Sequence, residues 1–185
     1  MKARSLFILF LAALVILITI AVAGCGGSSE KAPKPTEKQT ENPKTSAKTV
    51  DASLLITRKE AEEALGEPVK EAKIKKTGNA IGQEICLYEA KESSRFIQIS
   101  VIQNQAMSES MREQGQTAAG IFRTTKANTT PVKEIPGIGG DAFWGTPGLH
   151  ILKGDVYINI AVGNTDDPAN LELAKKLAKI ALSKL

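Results

Sequence analysis

Leu149-His150-Ile151-Leu152-Lys153-Gly154-Asp155-Val156-Tyr157-Ile158-Asn159-Ile160-Ala161-Val162 is the stretch from which the fold is read. Two apolar, strand-forming runs flank Gly154-Asp155, a dipeptide suited to the tight turn of a hairpin. Val156, Ile158, Ile160 and Val162 recur at the period of two that puts them on one face of a strand. Upstream, Arg95–Gln103 alternates Ile97, Ile99 and Val101 with Gln98 and Ser100, and Gln83–Ala90 reads as its partner strand. Val69–Ile74 is a further strand, followed by a turn at Thr77-Gly78-Asn79-Ala80. Lys133–Ile135 leads through the glycine-rich run Pro136-Gly137-Ile138-Gly139-Gly140 into a strand at Ala142-Phe143-Trp144.

Helical signals separate these strands. Thr57-Arg58-Lys59-Glu60 has the spacing of a capping box, and the helix that it opens is stopped by Gly66 and Pro68. Asn104 is placed to cap a helix from about Gln105 to Phe122, with Met107, Met111, Ala118 and Phe122 on one face; Gly115 and Gly120 weaken it. Ala127–Pro131 reads as a loop. Asp166 or Asp167 caps a final helix whose first turn takes Pro168. Along Ala169–Leu185, Leu173, Leu177 and Ile180 join Ala174, Ala178 and Ala181, while Lys175, Lys176 and Lys179 take the watery side. The order implies an α+β domain over 51–185, with a mostly antiparallel sheet of about five or six strands and helices packed on its faces.

Over Leu55–Leu185 the chain resembles a known group. The features are Ile56-Thr57, Ala61 and Ala64-Leu65-Gly66-Glu67-Pro68-Val69, then Cys86-Leu87-Tyr88, then Gly137-Ile138-Gly139-Gly140-Asp141-Ala142-Phe143-Trp144, then Lys153-Gly154-Asp155 and a terminal Ala/Leu/Lys helix. In that layout it is similar to small bacterial lipoproteins of unknown function, related in architecture to the LpqN and PsbP-like α/β/α sandwiches. The resemblance implies a fold rather than an activity.

The N-terminus carries its own signal. Lys2 and Arg4 precede the apolar run Leu6–Val22, broken only by Thr19, and small residues then lead to Cys25. That is the pattern of an export signal, and Val22-Ala23-Gly24-Cys25 resembles the lipobox of bacterial lipoproteins. The resemblance implies cleavage between Gly24 and Cys25, a thioether-linked diacylglycerol on Cys25, and a leader over 1–24. An uncleaved membrane anchor is the competing reading, and it gives the same topology. Residues 25–50, rich in Lys, Glu, Ser, Thr and Pro, cannot bury enough apolar surface to offset their ordering. They are expected to form a disordered tether with a reach of roughly 25–30 Å.

Charge follows this division. The chain has 24 Lys and Arg against 20 Asp and Glu, and the excess of four lies wholly before Asp51. The domain is neutral, which argues against a nucleic-acid partner. The basic tether fits an anionic lipid surface, although its glutamates dilute the effect.

Few residues propose chemistry. Cys86, left without a partner once Cys25 is lipidated, reads as a buried, inert thiol. His150 is the only histidine, so a conventional zinc site has no ligand set, and no Gly-x-Ser-x-Gly elbow supports a triad. The glycine cluster lacks the Lys-Ser/Thr pair of a phosphate loop and reads as a turn. Trp144, the only tryptophan, is either a core residue or an anchor for a ligand or partner. Asp166-Asp167 reads as capping rather than a cation site. The expectation is a lipid-anchored lipoprotein on the extracytoplasmic face of a cell membrane, or an outer membrane where the host has two. Its non-catalytic domain binds a small ligand or an envelope protein near Trp144, His150, Gly139 and Gly140, without cofactor or metal. A purely structural or protein-interaction component of the envelope is the alternative, and a thiol- or histidine-dependent enzyme is the least favoured reading.

Overall fold

The computed structural model describes residues 49–185. The leader 1–24, the lipidation and cleavage positions Cys25 and Gly24, and the tether as far as Lys48 lie outside the described residues.

The tether's expected last residue, Val50, is already docked. The Gln103 side-chain amide accepts from Val50 N–H and donates to its carbonyl, each at 2.8 Å. Asp51 then caps α1 (Ala52–Leu55), and Thr57 and Glu60 form the full reciprocal box at the start of α2 (Arg58–Leu65). Gly66 closes α2 in the left-handed region at φ 76°.

Seven strands form one sheet: β1 (Lys73–Lys76), β2 (Glu84–Glu89), β3 (Phe96–Gln103), β4 (Lys133–Glu134), β5 (Asp141–Gly145), β6 (Gly148–Lys153) and β7 (Val156–Ala161). Their order is β1-β2-β3-β7-β6-β5-β4 and every pairing is antiparallel. Two meanders, β1–β3 and β4–β7, therefore meet side by side at their last strands. The fold is α+β as expected, but the strand count exceeds five or six because a pair as short as Lys133–Glu134 has no sequence periodicity to show. The expected strand at Val69–Ile74 begins later. Val69 makes only a single bridge to Ala90, and Arg58 Nη2 binds the Val69 carbonyl at 3.1 Å, so regular pairing starts at Lys73.

The connection from β3 to β4 holds the largest departure. In place of one helix from Gln105 there are a 3-10 turn (Asn104–Ala106), α3 (Glu109–Glu113) and α4 (Ala118–Asn128). Gly115 turns the chain at φ 74°, and Gln116 N–H donates to Met111 O to close α3. Thr117 caps α4 through Gly120 N–H, while the Asn104 side chain accepts from Ala118 N–H at 2.7 Å. Asn104 is thus a cap, but for the second helix. Because α4 runs to Asn128, the expected loop begins later than Ala127.

α1, α2 and α5 (Pro168–Leu182) cover one face of the sheet. Their Leu55, Leu65, Leu171 and Leu177 pack with Ile97, Ile99, Leu149, Ile151, Ile158 and Ile160. α4 covers part of the other, where Ala118 and Phe122 meet Ile102, Met107, Phe143 and Tyr157. α5 is capped by Asp167 with Pro168 at its start, as expected.

Candidate functional site

Strand alternation sends Ser100 and Ile102 of β3, His150 and Leu152 of β6, and Tyr157 and Asn159 of β7 to the face beneath α4. There the register lines up one row across five strands: Ile85, Ser100, Asn159, His150, Phe143. The middle three are polar, yet Ser100, Asn159 and His150 are all buried. Buried polar groups demand partners, because desolvation without a hydrogen bond costs about 1–3 kcal/mol each. Gln83 reaches over to donate to Ser100 Oγ at 2.7 Å, and Asn159 Nδ2 donates to Leu149 O at 3.5 Å.

His150 is the exception. It is 1 % exposed and stacks on Phe143 with ring centroids 4.3 Å apart and planes within 5°. Its Nδ1 lies 2.7 Å from the Tyr157 hydroxyl. Its Nε2 meets no partner, and among the described residues it is the one buried side-chain polar atom of which this is true. Burial pushes the imidazole down to about 4, so it is neutral at pH 7, and the neighbouring backbone at Thr146 and Gly145 opposes this shift. Burial also raises Tyr157, which keeps its phenol protonated. Either the hydroxyl donates to Nδ1 and the ring's proton sits on Nε2, or Nδ1–H donates to the phenol oxygen and Nε2 is an acceptor.

These side chains wall a cavity of about 310 Å³ between the sheet and α4, at the lower end of the range for small-molecule sites. Gln83, Gln98, Ser100, Asn159, His150 and Tyr157 supply its polar wall, and Ile81, Ile102, Ile121 and Pro147 its apolar one. Among the described residues no Asp, Glu, Lys, Arg or Cys lines it. Ser100 and His150 stand two strands apart, roughly 10 Å at about 4.8 Å per strand, so they form no nucleophile–base pair.

The other expected site residues lie elsewhere. Trp144 is on the opposite face from His150, 6 % exposed, with Nε1 donating to Thr165 O at 2.8 Å. Gly139 and Gly140 press against the end of β6: Gly140 N–H donates to Leu152 O at 2.7 Å, and a Cβ on Gly139 would stand 2.7 Å from that oxygen. Of the four, only His150 lines the cavity. Cys86 is buried under α1, and burial pushes its thiol up, away from the reactive thiolate.

Two hollows carry charge. One, about 460 Å³, lies at the β2–β3 end with Lys70, Glu89 and Arg95. There Glu89 is paired with Lys73 and Arg95 is bound to Leu65 O. The other, about 470 Å³, lies at the tether root, where Glu84 accepts from Ala52 N–H at 3.0 Å. Burial first, and then Asp51, raise the Glu84 carboxyl. Among the described residues no cluster of three His, Cys, Asp or Glu side chains is placed to hold a metal ion, and no helix is long and apolar enough to cross a membrane. No family model, no curated protein and no solved structure matches the chain.

Proposed function

We propose that this chain is a lipid-anchored extracytoplasmic lipoprotein whose domain is a non-catalytic binding module for a small ligand at the cell envelope. The observation that carries the binding role is the cavity beneath α4, walled by a buried histidine with one ring nitrogen unpaired. A buried polar atom without a partner is uncommon in a folded protein, and here it belongs to a residue that lines the hollow, which supports a binding role. The spacing of Ser100 and His150 supports binding over catalysis. An antiparallel sheet between helices supports a PsbP-like α/β/α sandwich as its finer description. The Lys2/Arg4 leader and Val22-Ala23-Gly24-Cys25 support the anchor; two acyl chains hold a protein stably where one does not. The neutral domain leaves the membrane, through that anchor, and the small ligand as its partners, with no nucleic acid.

Metabolic labelling with a fatty acid tests the anchor. The label should reach the wild-type chain and be absent from Cys25→Ala, which should leave the membrane fraction. Unchanged labelling or partitioning of that variant would remove the lipoprotein reading.

A further inference from the structure

We infer that the cavity beneath α4 takes a neutral, hydroxyl-bearing molecule of about monosaccharide size, held by the row Ser100–Asn159–His150 with Gln83 and Gln98 at its side. This inference rests on the cavity being the binding site.

The argument begins with charge. A carboxylate, phosphate or ammonium entering this space would leave water and meet no opposite charge among the described residues of the wall. Desolvation of an unpaired ion is far more costly than that of a neutral polar group. The one ionisable side chain with a free valence, His150, is held neutral by its burial. An anion would have to bring its own proton.

The polar wall then selects hydroxyls. Gln83, Gln98 and Asn159 each carry an amide oxygen and an amide N–H₂, and Ser100 a hydroxyl; with Gln98 and Ser100 on β3, Asn159 beside them on β7 and Gln83 just before β2, donors and acceptors are mixed along the wall. A hydroxyl is itself donor and acceptor and satisfies such a mixed wall in either sense. The Ser100 oxygen accepts from Gln83, and its hydroxyl has its own proton to donate. With Nδ1 taken by Tyr157, Nε2 is left as a donor in one tautomer and an acceptor in the other, and a hydroxyl completes it in either sense. Ile81, Ile102 and Pro147 give the apolar surface on which the C–H side of a saturated ring rests. The volume, about 310 Å³, suits one such ring rather than a chain of them.

The sole histidine provides the test. In the full-length chain in detergent micelles, purified through a tag without histidine, the imidazole Cε1–H signal belongs to His150 alone. D-glucose, N-acetyl-D-glucosamine and D-glucuronate are titrated against that signal, and a fragment mixture of neutral and charged compounds is run beside them. Expected is a saturable shift with a neutral sugar, at least tenfold weaker binding of glucuronate, and loss of the shift in Asn159→Leu. Gln98→Leu alters a half-buried side chain and should weaken the shift with the fold intact. Trp144 fluorescence, reporting on the other face, should stay constant. If glucuronate binds as well as glucose, the inference of a neutral ligand is overturned while the cavity stands. If only fragments without hydroxyls move the signal, the hydroxyl assignment fails alone. If nothing moves it, both this inference and the binding role of the cavity are overturned.

Discussion

At the residue scale the balance of forces is clearest at His150. An imidazole ordinarily titrates near 6.5, and here burial lowers that to about 4. Between those values the unfolded chain takes up a proton that the folded chain refuses. The contribution to stability is therefore fully present above about pH 6.5 and declines as pH falls toward 4, by about 3 kcal/mol in all. Carboxylates such as Asp51 and Glu62, lowered by their hydrogen bonds to Ser53 and Val69, decline in the same direction and must be subtracted. Comparison with His150→Gln does this. Urea unfolding at pH 7 and pH 4 should show the wild type losing about 3 kcal/mol more than the variant over that interval. An equal loss in both would mean that the folded chain does protonate the ring. The polar residues of this row were legible only as phase: Ser100, Asn159 and His150 fall between apolar neighbours in their strands. Which helix covers that phase is a tertiary fact, so they read as surface alternation rather than as the wall of a cavity.

At the scale of elements, the hairpin β6–β7 was fully legible, because alternation and turn chemistry agree there. The capping box of α2 and the Asp167–Pro168 start of α5 were legible for the same reason: the groups that satisfy the helix ends are within a few residues. The segment 104–128 was not. Whether Gly115 sits within a helix or ends one depends on Asn104 reaching Ala118 across 14 positions, a contact that no local pattern encodes. The two readings make opposite predictions. In a continuous helix Gly115→Ala would stabilise by about 1 kcal/mol. At φ 74°, with no neighbouring atom in the way, alanine meets only backbone strain and should destabilise by about 1 kcal/mol. The change in urea midpoint decides the sign.

On the scale of the whole molecule, the sheet manages its edges by composition. β1 presents Lys73, Lys75 and Lys76 along its exposed length, and β4 is only two residues long, so neither edge invites a further strand. The other global feature is the root of the tether. Ala52, Leu55 and Ile56 are fully or almost fully buried, and Val50 is clasped by Gln103. The described fold is therefore tied down from Val50 onward. Removing residues 1–48 should leave the unfolding midpoint of the domain unchanged. Removing 1–56 should cost about 3–6 kcal/mol from the loss of two large apolar side chains and the helix that carries them. Equal stability of the two truncations would show that α1 contributes nothing to the core.

The meeting of the two meanders at β3 and β7 has a topological consequence. Each meander is local in sequence; within the sheet the β3–β7 ladder, from Gln98↔Ala161 to Gln103↔Val156, is the seam between them, and the core on each face packs across it. The only covalent link between the halves runs through Gly115, which touches nothing with its Cα face. The chain can thus be cut there and remain one object. Residues 1–115 and 116–185, expressed as separate polypeptides, should recognise each other along the seam and purify as a one-to-one complex, with Asn104 of the first fragment still capping α4 of the second. Replacement of Asn104 by alanine should loosen that pairing. A cut protein of this kind is a reporter: its two pieces come together only where both are present, on whichever surface carries them.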